Sequence, residues 1–124
     1  MVAYLAGEPG AEAVQDLLTD PDASCYAHAV NLCEVFYDSL RTTNERQARQ
    51  IIADLYTAGV MERRDMSRRF WERIGRLKAR GKISLADCFG IALAQQLGGD
   101  IVTSDHHEFD ALVPLRIVPI RFIR

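Results

Sequence analysis

With 124 residues the chain is long enough to bury one core, and 48% hydrophobic with 26% charged residues excludes a disordered protein. The formal net charge of -2 does not by itself predict nucleic-acid binding, and no apolar run (Ile117-Val118-Pro119-Ile120 is typical) approaches membrane-spanning length. Cys25, Cys33 and Cys88 are odd in number and lack Cys-x-x-Cys spacing, so they read as small buried hydrophobes of a reducing compartment, not as a disulfide frame or a zinc site.

Met1 leads into Val-Ala-Tyr-Leu-Ala-Gly without the basic and apolar regions of a secretory leader, so a cytoplasmic location is expected. Val2 to Ala6 reads as a short helical turn, broken by Gly7-Glu8-Pro9-Gly10. Ala11 to Leu18 has Ala13, Val14, Leu17 and Leu18 at helical spacing, and Asp20-Pro21-Asp22 ends it. Ser24 to Ala29 is a short strand, followed by a helix from Leu32 to about Arg41 with Leu32, Val35, Phe36 and Leu40 on one face. Asn44 to Ala58 is a helix ended by Gly59, and Val60 to Glu62 a short strand. Ser67 to Arg80 carries Phe70, Ile74 and Leu77 at amphipathic spacing. Ser84 to Leu97 is a strongly apolar helix stopped by Gly98-Gly99. Ile101-Val102-Thr103 is a buried-type strand, His106 to Leu112 a short helix, and Arg116 to Ile123 an alternating terminal strand. Strand and helix alternate, which predicts a single α/β layered domain over 1–124 with a mostly parallel sheet and helices on both faces.

Charge is segregated along this order. Residues 1–40 hold seven acids and residues 84–115 hold five, with no Lys or Arg in either segment. Between them, residues 63–82 hold nine basic residues against Asp65 and Glu72. Cations of that stripe can hold phosphates while the acids hold a metal; the same stripe is equally well a solvated helix face.

Three segments share one pattern: Asn31-Leu-Cys-Glu34, Ser84-Leu-Ala-Asp87 and Asp105-His-His-Glu108 each place a capping residue three before an acid. Each is a capping-box-like helix start with an acid near the helix dipole. A second reading stands beside the first. Two of the starts follow predicted strands, and strand ends of a parallel sheet share the edge where ligands bind, which predicts that Glu34 and Asp105 lie close together, joined by Asp87. Carboxylates gathered without Lys or Arg repel unless a cation intervenes, and hard oxygen ligands suit Mg²⁺ or Mn²⁺.

The segment Ser84-Leu-Ala-Asp87-Cys-Phe-Gly-Ile-Ala-Leu-Ala, followed by Ile101-Val-Thr-Ser-Asp105-His-His-Glu-Phe109-Asp110, resembles the C-terminal half of a PIN domain of the VapC toxin type. Ala29-Val-Asn31-Leu-Cys-Glu34-Val is similar to the family's second-acid segment, and Leu5-Ala-Gly7-Glu-Pro9-Gly to the turn after its first helix. The resemblance implies a three-layer α/β/α fold with Glu34, Asp87 and Asp105 as catalytic, metal-holding acids, supported by Thr103 and Ser104. It implies Mg²⁺- or Mn²⁺-dependent hydrolysis of RNA phosphodiesters, a cognate antitoxin and a homodimer. Arg68, Arg69, Arg73 and Arg76 are then the expected RNA contacts.

The family's first strand and its Asp are expected to have no counterpart within residues 1–124, because the resemblance begins after them. Glu8 lies in a turn and is a poor substitute, so weak metal binding is expected of this chain. A catalytically impaired PIN-fold module binding RNA or protein is the alternative. Phosphoryl transfer of the haloacid-dehalogenase or receiver kind is disfavoured because both acidic segments lack the Lys it needs. Of the remaining residues, His28 reads as a core histidine and Phe109 as a packing residue with Asp110 exposed. His106 and His107 are solvent-facing or metal-proximal, and Trp71 packs on a neighbour or stacks on a base.

Overall fold

Side-chain caps decide where most helices begin. In the computed structural model, which describes residues 9–124, the chain divides into two compact units, Met1–Arg63 and Arg64–Arg124. The expected turn over Val2 to Ala6 lies outside the described residues.

In the first unit α1 spans Ala11–Thr19, β1 Tyr26–His28, α2 Ala29–Thr42, α3 Glu45–Ala58 and β2 Met61–Arg63. Asn44 caps α3 by accepting from the Gln47 N–H at 2.9 Å, and Gly59 ends it at φ 112°, where a side chain would be strained. Strands β1 and β2 pair in parallel, Tyr26 opposite Met61 and His28 opposite Arg63. Ala27, Leu32, Val35, Leu55 and Val60 form the core, with Leu18, Ile51 and Ile52 packed against it.

The start of α2 corrects the expectation that Asn31 begins this helix. The cap is His28, whose ring Nδ1 accepts the Val30 N–H at 3.1 Å, so the helix begins at Ala29. Glu34 consequently sits beyond the first turn and is not a dipole-capping acid. The reason is that the buried imidazole supplies the acceptor that Asn31 was expected to supply. Cys33 is also a correction: Leu32 and Val35 take the inward positions, and the helical turn carries Cys33 outward, whereas Cys88 is buried and Cys25 partly so.

In the second unit α4 spans Arg68–Arg80, α5 Leu85–Leu97, β3 Ile101–Thr103, α6 His106–Phe109 and β4 Ile120–Phe122. Ser67 caps α4 through the Phe70 N–H at 3.2 Å, and Ser84 caps α5 through the Asp87 N–H at 3.2 Å. Phe70, Ile74 and Leu77 turn inward from α4; α5 buries Cys88, Phe89, Ile91, Ala92, Leu93 and Ala94. Phe70 meets Phe89 edge-on, ring centres 6.1 Å apart. Strands β3 and β4 pair in parallel, Ile101 opposite Ile120 and Thr103 opposite Phe122. The expected terminal strand over Arg116–Ile123 is thus three residues long. Asp110–Leu115 forms a 3-10 turn, Arg116 adopts a left-handed conformation at φ 52°, and Pro119 has no N–H to give the ladder. Both described pairings are parallel and joined through helices, the α/β pattern expected from the element order.

Candidate metal centre

The end of β3 and the starts of α5 and α6 meet in one hydrogen-bonded knot. The Asp105 N–H donates to Thr103 Oγ1 at 3.0 Å, which fixes the residue leaving the strand. Asp105 then caps α6, its Oδ1 accepting the Glu108 N–H at 3.1 Å. The Glu108 carboxylate reaches across to α5, where Oε2 accepts the Ser84 N–H at 3.2 Å. Ser84 Oγ in turn accepts from Asp87 N. Asp105 and Glu108 are therefore each held by a helix start as well as presented by one, and Asp87 is presented by the start of α5.

The result is three carboxylates, Asp87, Asp105 and Glu108, offering oxygens that all lie within 4.8 Å of one another. A hydrogen bond with Asp87 holds the Glu108 carboxyl below the ordinary carboxylate range; burial opposes it, and hydrogen bonds from Ser84 and the charge of His107 assist. Opposite ligands on an octahedral Mg²⁺ are about 4 Å apart, since each bond is about 2.0–2.1 Å, so the cluster matches a hard cation in size and in donor type. No Lys or Arg occurs within residues 84–115 to neutralise it.

Of the residues expected at the site, Asp87 and Asp105 are thus brought together, with Thr103 supporting Asp105. Ser104 is partly buried, and its hydroxyl makes no hydrogen bond among the described residues. Glu34 is partly buried on α2, in the Met1–Arg63 unit. Glu108 was legible only as a capping acid; its position three after Asp105 was the available signal, because a short cap places the third residue back beside the first.

Around the knot, His106 is more constrained than a solvent-facing histidine. Its ring stacks on Phe122 at 4.1 Å, with Nδ1 2.8 Å from Asp110 Oδ1 and Nε2 2.7 Å from the Arg124 carbonyl oxygen. Both nitrogens face acceptors, so the protonated ring is favoured and its pKa is raised, first by the Arg124 carbonyl and then by Asp110. Phe109 is buried, as a packing residue should be. On α4, Arg68 pairs with Glu72 at 2.9 Å, while Arg69, Arg73, Arg76 and Arg80 have no ion-pair partner among the described residues. Arg69 and Arg73 border a shallow depression with Gln95 and Gln96.

The model of the PIN domain family matches residues 1–113. The chain belongs to the PIN domain family. As a PIN domain it shares its fold with solved toxin–antitoxin structures. VapBC-1 from nontypeable Haemophilus influenzae aligns with a TM-score of 0.69 at 17% identity, over 98% of this chain and 92% of that one. A toxin–antitoxin complex from Klebsiella pneumoniae gives 0.65 at 15% identity, covering 99% and 91%. VapBC2 from Rickettsia felis, bound to a DNA fragment from its promoter, gives 0.70 at 15% identity, covering 97% and 90%. At such identities the likeness is one of fold. No curated protein matches the chain in sequence. Among the described residues, no helix of this PIN-domain chain is long and apolar enough to cross a membrane.

Proposed function

We propose that this PIN-domain chain is a metal-dependent endoribonuclease, the toxin of a toxin–antitoxin pair, acting as a single domain over 1–124. The observation that carries the reading is the convergence of Asp87, Asp105 and Glu108 in a segment without Lys or Arg. Asp87, Asp105 and Glu108 would hold Mg²⁺ or Mn²⁺, and the PIN-domain resemblance gives Glu34 of α2 as a further acid of the reaction. A bound ion supplies positive charge to the scissile phosphate and a water made acidic enough to attack near neutral pH. The chain's own residues do the rest. Thr103 and Ser84 fix the two acid-bearing turns, Ser104 lines the approach, and the arginines of α4 (Arg68, Arg69, Arg73 and Arg76) hold the RNA backbone. The toxin–antitoxin character of the fold neighbours supports an antitoxin partner, and a cation from that partner would satisfy the acidic cluster when metal is absent. Homodimerisation and a cytoplasmic setting complete the reading.

The test is cleavage of single-stranded RNA with Mg²⁺ or Mn²⁺, comparing the chain with Asp87→Asn. Metal-dependent cleavage lost in the variant is expected. Cleavage that survives in Asp87→Asn, or that proceeds equally in chelator, would refute the assignment.

A further inference from the structure

The basic helix α4 carries a feature that a simple phosphate-holding face does not require. Phe70, Ile74 and Leu77 point inward, and helical spacing distributes the other residues over two flanks and a crest between them. Arg69, Arg73, Arg76 and Arg80, at i, i+4, i+7 and i+11, form a stripe along one flank. None has an ion-pair partner among the described residues. Trp71 lies on the other flank, 49% exposed, and no aromatic ring or cation covers its indole among the described residues. The crest between the stripe and the indole carries the ion-paired Arg68 and Glu72 in its first turns and, beyond them, Gly75 and Ala79, both exposed. A Cβ added at Gly75 would meet nothing within 4 Å.

Gly75 is therefore not there to make room for a neighbour inside the fold. A glycine in a helix interior costs about 1 kcal/mol relative to alanine, so open space around it leaves the choice unexplained by packing. A helical side chain covers the turn N-terminal to its own Cα, so any larger residue at position 75 would lie towards Trp71. Glycine keeps the crest low and the indole uncovered.

We propose that Gly75 and Ala79 form a saddle over which single-stranded RNA crosses α4, its phosphates on the Arg69–Arg80 stripe and one base stacked on Trp71. The inference rests on the ribonuclease reading for the identity of the ligand. Nine basic residues against two acidic ones over 63–82 favour a polyanion over a protein partner. An aromatic face isolated among cations takes a base that is free of a duplex, because paired bases present only their edges. The saddle thus selects unpaired RNA independently of the acids that would cut it.

Trp71 is the sole tryptophan of the chain, so its emission reports on this position alone. The chain is titrated in chelator with a single-stranded oligoribonucleotide, and with the fully paired duplex of equal length, at fixed salt. Saturable quenching by the single strand is expected, with binding of the duplex leaving emission unaltered. Trp71→Ala should weaken single-strand binding by roughly 10-fold or more, and Trp71→Phe should recover part of the loss. Gly75→Leu should weaken binding and reduce quenching while its melting temperature holds or rises, since leucine is the better helix former. Unaltered emission at saturating single-stranded RNA would overturn the proposal, as would Trp71→Ala and Gly75→Leu binding as tightly as the parent. A fall in oligomeric mass in Trp71→Ala with unchanged RNA affinity would assign the indole to a protein contact and overturn it too. Because cleavage is not read, the two readings fail separately. Quenching without metal-dependent cleavage sinks the nuclease and leaves the saddle; cleavage with unaltered emission does the reverse.

Discussion

Glu108→Gln separates a ligand from a structural cap, because the amide keeps the length and an acceptor for the Ser84 N–H, now 3.2 Å away, but gives up the charge. Ionised carboxylates whose oxygens lie within 4.8 Å of one another repel by about 3 kcal/mol or more at an effective dielectric near 20, which opposes that charge. The hydrogen bond with Asp87, the Ser84 donors and the charge of His107 outweigh that repulsion and the burial, since the Glu108 pKa is lowered, so the charge adds to stability above the unfolded carboxylate pKa. Without metal, near neutral pH, the variant should therefore melt at the parent's temperature or a few degrees below it. With metal the gap widens. At a free Mn²⁺ concentration 100 times its dissociation constant the parent gains about 2.7 kcal/mol, roughly 10 °C. If losing the charge weakens the site about 10–100-fold, the variant gains only about 0.4–1.4 kcal/mol at the same concentration. Thermal melts across a Mn²⁺ series, with calorimetry for the affinities, measure both effects. An equal metal-induced rise in the two proteins would show that Glu108 is no ligand. A metal-free melt several degrees above the parent would show that the Glu108 charge strains the fold and does not support it.

The arginine stripe gives a second prediction: Arg69→Gln, Arg73→Gln and Arg76→Gln combined should weaken RNA binding and flatten its dependence on salt, by up to about 0.7 in log–log slope for each phosphate no longer neutralised. An unchanged slope would leave α4 a solvated face. A third concerns His106, whose pKa is raised by the Arg124 carbonyl and by Asp110. A raised folded pKa contributes stability that is fully present below the unfolded value, about 6.5, and lost as pH rises through the folded value. Melts from pH 5 to 9 should show that loss in the parent and a flatter profile in His106→Gln; identical profiles would mean that the ring contributes nothing by its charge.

Much of the fold was legible because its caps are local. Asn44, Ser67 and Ser84 each accept from the backbone N–H three residues on, a contact written in the sequence spacing itself. Asn31 imitated that spacing before Glu34, but whether it caps depends on where the chain leaves β1, and His28 had already supplied the acceptor. The alternation over Arg116–Ile123 imitated a strand, while strand length was decided by a partner: only Ile120–Phe122 finds β3 opposite. At the site, Asp87 and Asp105 were legible from their helix starts. Glu108 was hidden behind its capping role, because the sequence does not record that its carboxylate reaches Ser84, 24 positions away. Trp71 was legible as a residue and not as a surface, since exposure depends on what α4 packs against.

The pairing of β3 with β4 bears on the timing of synthesis. Asp105 and Glu108 follow β3 directly, and the strand that holds β3 among the described residues is Ile120–Phe122, more than ten positions further along. His106 adds its own ties to Phe122 and Arg124. A parallel pair cannot zip up as a hairpin, so β3 waits for a segment made after the acids themselves. While the chain is still being translated, Asp105 and Glu108 therefore sit on a turn tied to the start of α5 by the Glu108–Ser84 hydrogen bond but not yet backed by a paired strand. The strand that backs the cluster arrives only with Ile120–Phe122, so the ribosome has moved well past the acids before the strand that presents Asp105 is paired.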